Sequence, residues 1–221
     1  LAEGVDHTAE EEFEQLERID ALGRNTVIVH GVGMIQQQRK RLIECGGGLI
    51  WCPGSNNFLF GRTAEVKALS QVGRLALGSD SRLTGEFDLL QELKVAAACR
   101  QLSSQALFRA VTTDSARILR LRKGGMGQIR PGGAADLVLL QGPLQEDPFA
   151  MVAGIERSRI ELVMRDGKPV VGSRTMASVF HAADLRFNPV IVDGLVKFID
   201  RNISNRLQKS CIREPGLLID G

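Results

Sequence analysis

The sequence predicts an α/β fold: a parallel sheet covered by helices, then a small β unit and a terminal helix. Three observations predict it. Short runs that are apolar on both faces recur about every two dozen residues, and each is followed by an amphipathic stretch. Glycines at 23, 46 and 73 stand just before the runs, where helix C-caps are needed.

TAEEEFEQLERIDALG (8–23) reads as an amphipathic helix. Its Glu10, Glu11 and Glu12 sit in the first turns, where the macrodipole favours acids, so this run marks a helix start and not a metal site. The helix needs a strand before it, and LAEG at 1–4 looks like that strand's exit loop, as though cut from something longer. TVIVH (26–30) is the first strand, followed by a glycine turn and the helical MIQQQRKRLIECG (34–46). GLIWC (48–52) is the second, with a Pro-Gly-Ser-Asn loop and the helical RTAEVKALSQVG (62–73). RLALG (74–78) is the third, leading to EFDLLQELKVAAACRQL (86–102). The count is about three and a half βα units, a spacing that suits a βα barrel or a doubly wound sheet. A closed barrel needs eight units and about 250 residues, more than this chain can supply alongside its C-terminal β unit.

Beyond 121 the pattern changes. RKGGMGQIRPGGAADLVLL (122–140) is turn-rich and ends in a strand at 136–140. RIELVMRDGKPVVG (159–172) is a hairpin, because an Asp-Gly step between β-branched runs favours the tight primed turn. NPVIVDGLVKFIDRNISNRLQKS (188–210) is expected to form one amphipathic helix with Leu195, Phe198 and Ile199 on one face. The expected segments are 1–122, 123–175 and 176–221.

Composition narrows the function. The chain is 43% hydrophobic and 24% charged with net charge +2, which gives no concentration of cations for nucleic acid. One Trp and no Tyr leave little for base stacking. No run approaches the roughly 18 apolar residues of a membrane helix. Four cysteines form no CxxC pair, so the expectation is a reduced, cytoplasmic protein. The glycine clusters complete neither G-x-G-x-x-G nor a P-loop.

In parallel α/β folds, ligands bind beyond the carboxyl ends of the strands. The residues at those ends are His30, the segment Cys52 to Asn56, and Asp80, with Glu3 in the stub. An imidazole and two carboxylates suit hydrolytic metal chemistry: hard and borderline ligands for the cation, and carboxylates to move protons. Ser55, Asn56 and Ser81 are the polar candidates for substrate binding. Cys52 reads as a packed thiol, since no base is placed for it, and His7 and His181 read as solvated surface residues.

VIVHGVG, WCPGSNNFLFG, ALGSDSRLTG and PGGAADLVLL, in this order and spacing, resemble the C-terminal half of the amidohydrolase superfamily. The nearest branch is that of the chlorohydrolases and the cytosine- and guanine-deaminase-like enzymes, and the likeness runs from residue 1 to about 172. It implies the C-terminal part of a TIM-like (β/α)8 barrel, a small β-sandwich portion and a C-terminal helix. It implies hydrolysis of a C–N bond in a small cyclic nitrogenous substrate, with a divalent metal, zinc first and iron as the alternative. Asp80 matches a metal ligand that also takes a proton from water. His30 matches a histidine that contacts the water or the substrate and is, with Asp80, a candidate metal ligand; Glu3 matches an acid/base carboxylate. The family's HxH pair and a further histidine ligand are absent from this chain. The expectation is therefore poor metal binding and no turnover by the chain alone. Exposed strand edges would lead it to pair with a second copy or with a complementing N-terminal chain. The alternative reading is a catalytically inactive half-barrel with a structural or complementing role.

Overall fold

The computed structural model describes residues 1–121, 124–143, 147–211 and 213–219. They form two compact units, the first from Leu1 to Arg130 with a helix at Pro148–Gly154, the second from the remainder. The expected boundary at 122/123 lies outside the described residues.

The first unit alternates helix and strand: α1 (His7–Arg18), β1 (Val27–Val29), α2 (Gln36–Glu44), β2 (Gly48–Trp51), α3 (Pro53–Phe60), α4 (Lys67–Gln71), β3 (Leu75–Leu77), α5 (Leu89–Ala98), α6 (Ser104–Ala110), α7 (Thr113–Ile118) and α8 (Pro148–Gly154). The strands pair in parallel in the order β1-β2-β3. Sequential parallel order is consistent with a barrel arc and also occurs within one half of a doubly wound sheet. Trp51, Leu49 and Leu75 are fully buried in the sheet, and Phe13, Leu42, Leu69 and Leu107 pack on it from the helices.

Gly46 and Gly73 sit just past α2 and α4 at φ 79° and 66°, as left-handed caps require. Gly23 does not. α1 ends earlier, and Asp20 takes the left-handed turn at φ 54° while the Ala21 N–H reaches back to Leu16 O. The segment expected as a Pro-Gly-Ser-Asn loop is helix α3. Pro53 occupies its first turn, where a missing N–H costs nothing and a fixed φ favours the helix.

The second unit contains β4 (Leu137–Leu140), β5 (Ile160–Arg165), β6 (Lys168–Ser173), α9 (Ala177–Ala182), β7 (Phe187–Val192), β8 (Leu195–Asp200), α10 (Arg201–Gln208) and β9 (Leu217–Leu218). Its strands lie in one six-stranded sheet, order β4-β5-β6-β8-β7-β9, with every pair antiparallel. The expected sandwich portion is thus a single sheet among the described residues. The expected tail helix is also corrected. Only α10 is helical; the preceding residues form the β7–β8 hairpin, and β8 pairs with β6. The sheet therefore runs across the expected boundary at 175/176.

The physical reason is the Asp193-Gly194 step, which turns with φ 49° and 80°, as Asp166-Gly167 does with 49° and 76°. Both central residues at positive φ make a type I′ turn, whose twist matches paired strands. Phe187 and Phe198 then meet with ring centroids 4.5 Å apart. Gly194→Ala is expected to cost about 1–2 kcal/mol, because a Cβ is strained at that φ. Urea unfolding of the variant measures it.

Candidate active site

Three chain segments meet at one end of the first unit's sheet: two leave β1 and β3, and the third is the stretch from Leu1 to Glu3. Leu1 lies beside β1, its N-terminal amine donating to Val29 O and its carbonyl accepting from Gly31 N. Ala2 N donates to Glu12 Oε2 at 2.6 Å, and Ala2 O accepts from Gly33 N. These bonds deliver Glu3 alongside His30, the residue directly after β1. Asp80 comes three positions after β3. Ala2, His30 and Asp80 all hold positive φ, at 51°, 73° and 56°. Each such residue costs of order 1 kcal/mol or more, and this kind of strain collects where side chains must be aimed at one point.

The aim is common. His30 Nε2 lies 3.5 Å from Glu3 Oε1 and 3.9 Å from Asp80 Oδ2. One donor atom from each of the three falls within 4.8 Å of the others. Donors around a zinc ion at about 2.1 Å stand about 3.4 Å apart in a tetrahedral set, so the arrangement is close to that of a cation site. His30 is nearly buried, while the Glu3 and Asp80 side chains remain 43% and 30% exposed, open to water or a ligand.

A second set of residues fixes the first. His30 Nδ1 donates to Asn56 Oδ1 at 2.9 Å, which leaves Nε2 as the ring nitrogen facing the two carboxylates. Asn56 Nδ2 donates to Thr63 Oγ1 at 3.0 Å, and Trp51 Nε1 donates to the same hydroxyl at 2.6 Å. Ser55 Oγ donates to Asp80 Oδ2 at 2.6 Å and lies 3.0 Å from Thr84 Oγ1. Ser55 and Asn56 are fully buried and bonded to site residues. They support the cluster rather than line an open pocket for substrate. Ser81 is exposed, and its Oγ accepts from Leu83 N at 3.2 Å within the turn after Asp80.

A thiol and a carboxyl stand behind the cluster. Burial, then the charges of Asp80, Glu92 and Glu3, push the Cys52 thiol up to about 12. A thiol so protonated is no nucleophile. Alkylation at pH 8 is expected to modify exposed Cys211 first and Cys52 only on unfolding, read by peptide mass mapping. Glu92 of α5 is fully buried, and burial holds its carboxyl above the ordinary range. Sequence reasoning missed it. The legible signal for its burial, though not for its partner, is a carboxylate one turn before Ala96 on an otherwise apolar face of the helix. Thr63 carries no such signal. His7 is exposed at α1, and exposed His181 lies edge-on to Phe187 in the second unit.

The chain matches the model of the amidohydrolase family over residues 1–170. It is 26% identical over 183 residues to a 5'-deoxyadenosine deaminase of Methanosphaera stadtmanae, covering 76% of this chain and 42% of that protein. A 5-methylthioadenosine/S-adenosylhomocysteine deaminase of Thermococcus kodakarensis is 27% identical over 169 residues, with 69% and 39% covered. Among solved structures, E. coli guanine deaminase aligns with a TM-score of 0.59 at 26% identity, over 70% of this chain and 41% of its own. A zinc-bound adenosine deaminase from Xanthomonas campestris aligns at 0.66 and 24% identity, over 77% and 42%, a likeness of fold. The chain spans about two fifths of the length of these curated relatives. With 170 of its 221 residues matched, this chain belongs to the amidohydrolase family.

Proposed function

We propose that this chain supplies part of a metal-dependent hydrolase that removes an exocyclic amine from a small nitrogen heterocycle. It does so as the C-terminal arc of a βα barrel. The observation that carries the reading is the meeting of Glu3, His30 and Asp80 within 4.8 Å, His30 and Asp80 from the exits of β1 and β3 and Glu3 from the segment beside β1. The deaminase names of the relatives support the reaction class.

A divalent metal, zinc first, would be held by Asp80 and His30 with donors from outside these 221 residues, and when bound it activates water as a Lewis acid. The donor set fits: an imidazole with its other nitrogen committed to Asn56, and carboxylate oxygens. Asp80 accepts the proton of the attacking water. Glu3, the most exposed of the three, passes a proton to the ring nitrogen; the proton held by Asp80 goes to the departing amine, and the remaining hydroxyl proton returns to Glu3 as the carbonyl forms. With Nδ1 committed to Asn56, His30 turns Nε2 toward the cluster, where it grips the metal and orients the water. The net change is water plus amine giving carbonyl plus ammonia.

The second reading is an inactive, structural or complementing half. It is favoured for the chain by itself by the histidine count: His7, His30 and His181 cannot furnish an HxH pair. The test is ammonia release from adenosine- and guanine-type substrates by the chain joined to the leading segment of the Methanosphaera relative, with zinc. The proposal expects release by the joined protein and none by the chain alone. Equal release with Asp80→Ala would contradict it.

A further inference from the structure

We propose that Glu92 is a positioning residue: from α5 it clamps the first turn of α3 and thereby sets both His30 and Asp80. The inference rests on the proposed cation site but concerns a residue bonded to Gly54 and Glu86 and not one of the three that form the cluster.

The first turn of a helix leaves backbone N–H groups without intrahelical partners. The N-cap of α3, Cys52, offers no capping side chain. Glu92 supplies the acceptor from another helix: its Oε1 accepts from Gly54 N at 2.6 Å, and its Oε2 lies 3.4 Å from Glu86 N. A fully buried carboxyl is costly at a position where an apolar residue would pack without penalty, so its presence needs a task of this kind. Gly54 is the matching half of the device. A Cβ there would lie 2.7 Å from Glu92 Oε2 and 3.1 Å from Oε1, displacing the carboxyl from the N–H it holds.

The next two residues are those that grip the site. Ser55 donates to Asp80, and Asn56 accepts from His30. Three consecutive residues of one helical turn therefore carry one anchor and two supports. Movement of that turn would release His30 Nδ1 and Asp80 Oδ2 together.

The His30 tautomer reports the clamp without metal or turnover. Long-range proton–nitrogen NMR on the 221-residue chain at about pH 8.5, above the ordinary imidazole range, separates three histidines. His30 is expected to carry its proton on Nδ1, unlike exposed His7 and His181. Glu92→Ala and Gly54→Ala should each lose the Nδ1–H form, in favour of the Nε2–H form. Glu92→Gln, which keeps an oxygen for Gly54 N–H, should retain it. Should Glu92→Ala fail to fold, Glu92→Asp keeps the charge but falls one methylene short, and should lose the form too. Ala96→Gly loosens the same helix without touching the clamp and should leave the tautomer alone.

Retention of Nδ1–H in folded Gly54→Ala and Glu92→Asp, or its loss in Ala96→Gly, would overturn the proposal. Absence of zinc binding by the chain joined to the leading segment of the Methanosphaera relative would instead overturn the hydrolase reading and leave this result standing.

Discussion

Replacing Asp80 by Ala in the completed enzyme is expected to lower turnover by about 10⁴-fold or more. A positioned proton acceptor contributes about 10² to 10⁴ by itself, and loss of a metal donor adds several kcal/mol of lost charge stabilisation. Asp80→Asn separates the two parts. It keeps the size of the side chain and an oxygen to accept from Ser55, but it cannot take a proton. Its kcat should fall nearly as far as that of Asp80→Ala, while substrate KM changes little. Steady-state ammonia release for both variants, with metal content measured alongside, checks the expectation.

The second large effect is at Gly85, a residue with no chemistry of its own. Gly85 N donates to Ser81 O at 2.7 Å, closing the turn after Asp80. A Cβ at Gly85 would lie 2.0 Å from Ser79 O and 3.2 Å from Ser81 O, both backbone atoms. The backbone on either side of Asp80 would have to shift. Gly85→Ala is therefore expected to cost about 1–3 kcal/mol as overpacking and to pull Asp80 off the cluster. Cation affinity should drop more than about 10-fold, the lower end of what even a lost outer support costs. Gly23→Ala is the control, since nothing lies within 4 Å of its Cβ position and its φ is ordinary. Urea unfolding and cobalt titration of the two variants measure the contrast.

Much of the first unit is legible in the sequence because its signals are local. TVIVH, GLIWC and RLALG are short, apolar and spaced for helices, and the strands fall within them at Val27–Val29, Gly48–Trp51 and Leu75–Leu77. His30 and Asp80 stand out because strand ends in parallel folds face the ligand. Sequence and structure part where two local signals compete. The tail has helical spacing of Leu195, Phe198 and Ile199, but also an Asp-Gly step between VIV and LVKF. The same step is decisive at Asp166-Gly167, and it outweighs the spacing here because β8 gains partners in both β6 and β7. The Cys52 to Asn56 segment is rich in turn formers, yet Pro53 opens a helix there. The supporting roles of Asn56, Ser55 and Glu92 depend on contacts 25 to 38 positions apart, which no local pattern encodes.

Whether Glu3, His30 and Asp80 act as one cation-gripping cluster is decided by zinc titration of the chain joined to the leading segment of the Methanosphaera relative, watched through the imidazole nitrogen signals of His7, His30 and His181. A working cluster shifts His30 Nε2 first, and Asp80→Asn or Glu3→Gln weakens that response. A titration in which His7 and His181 respond while His30 stays unmoved would contradict it.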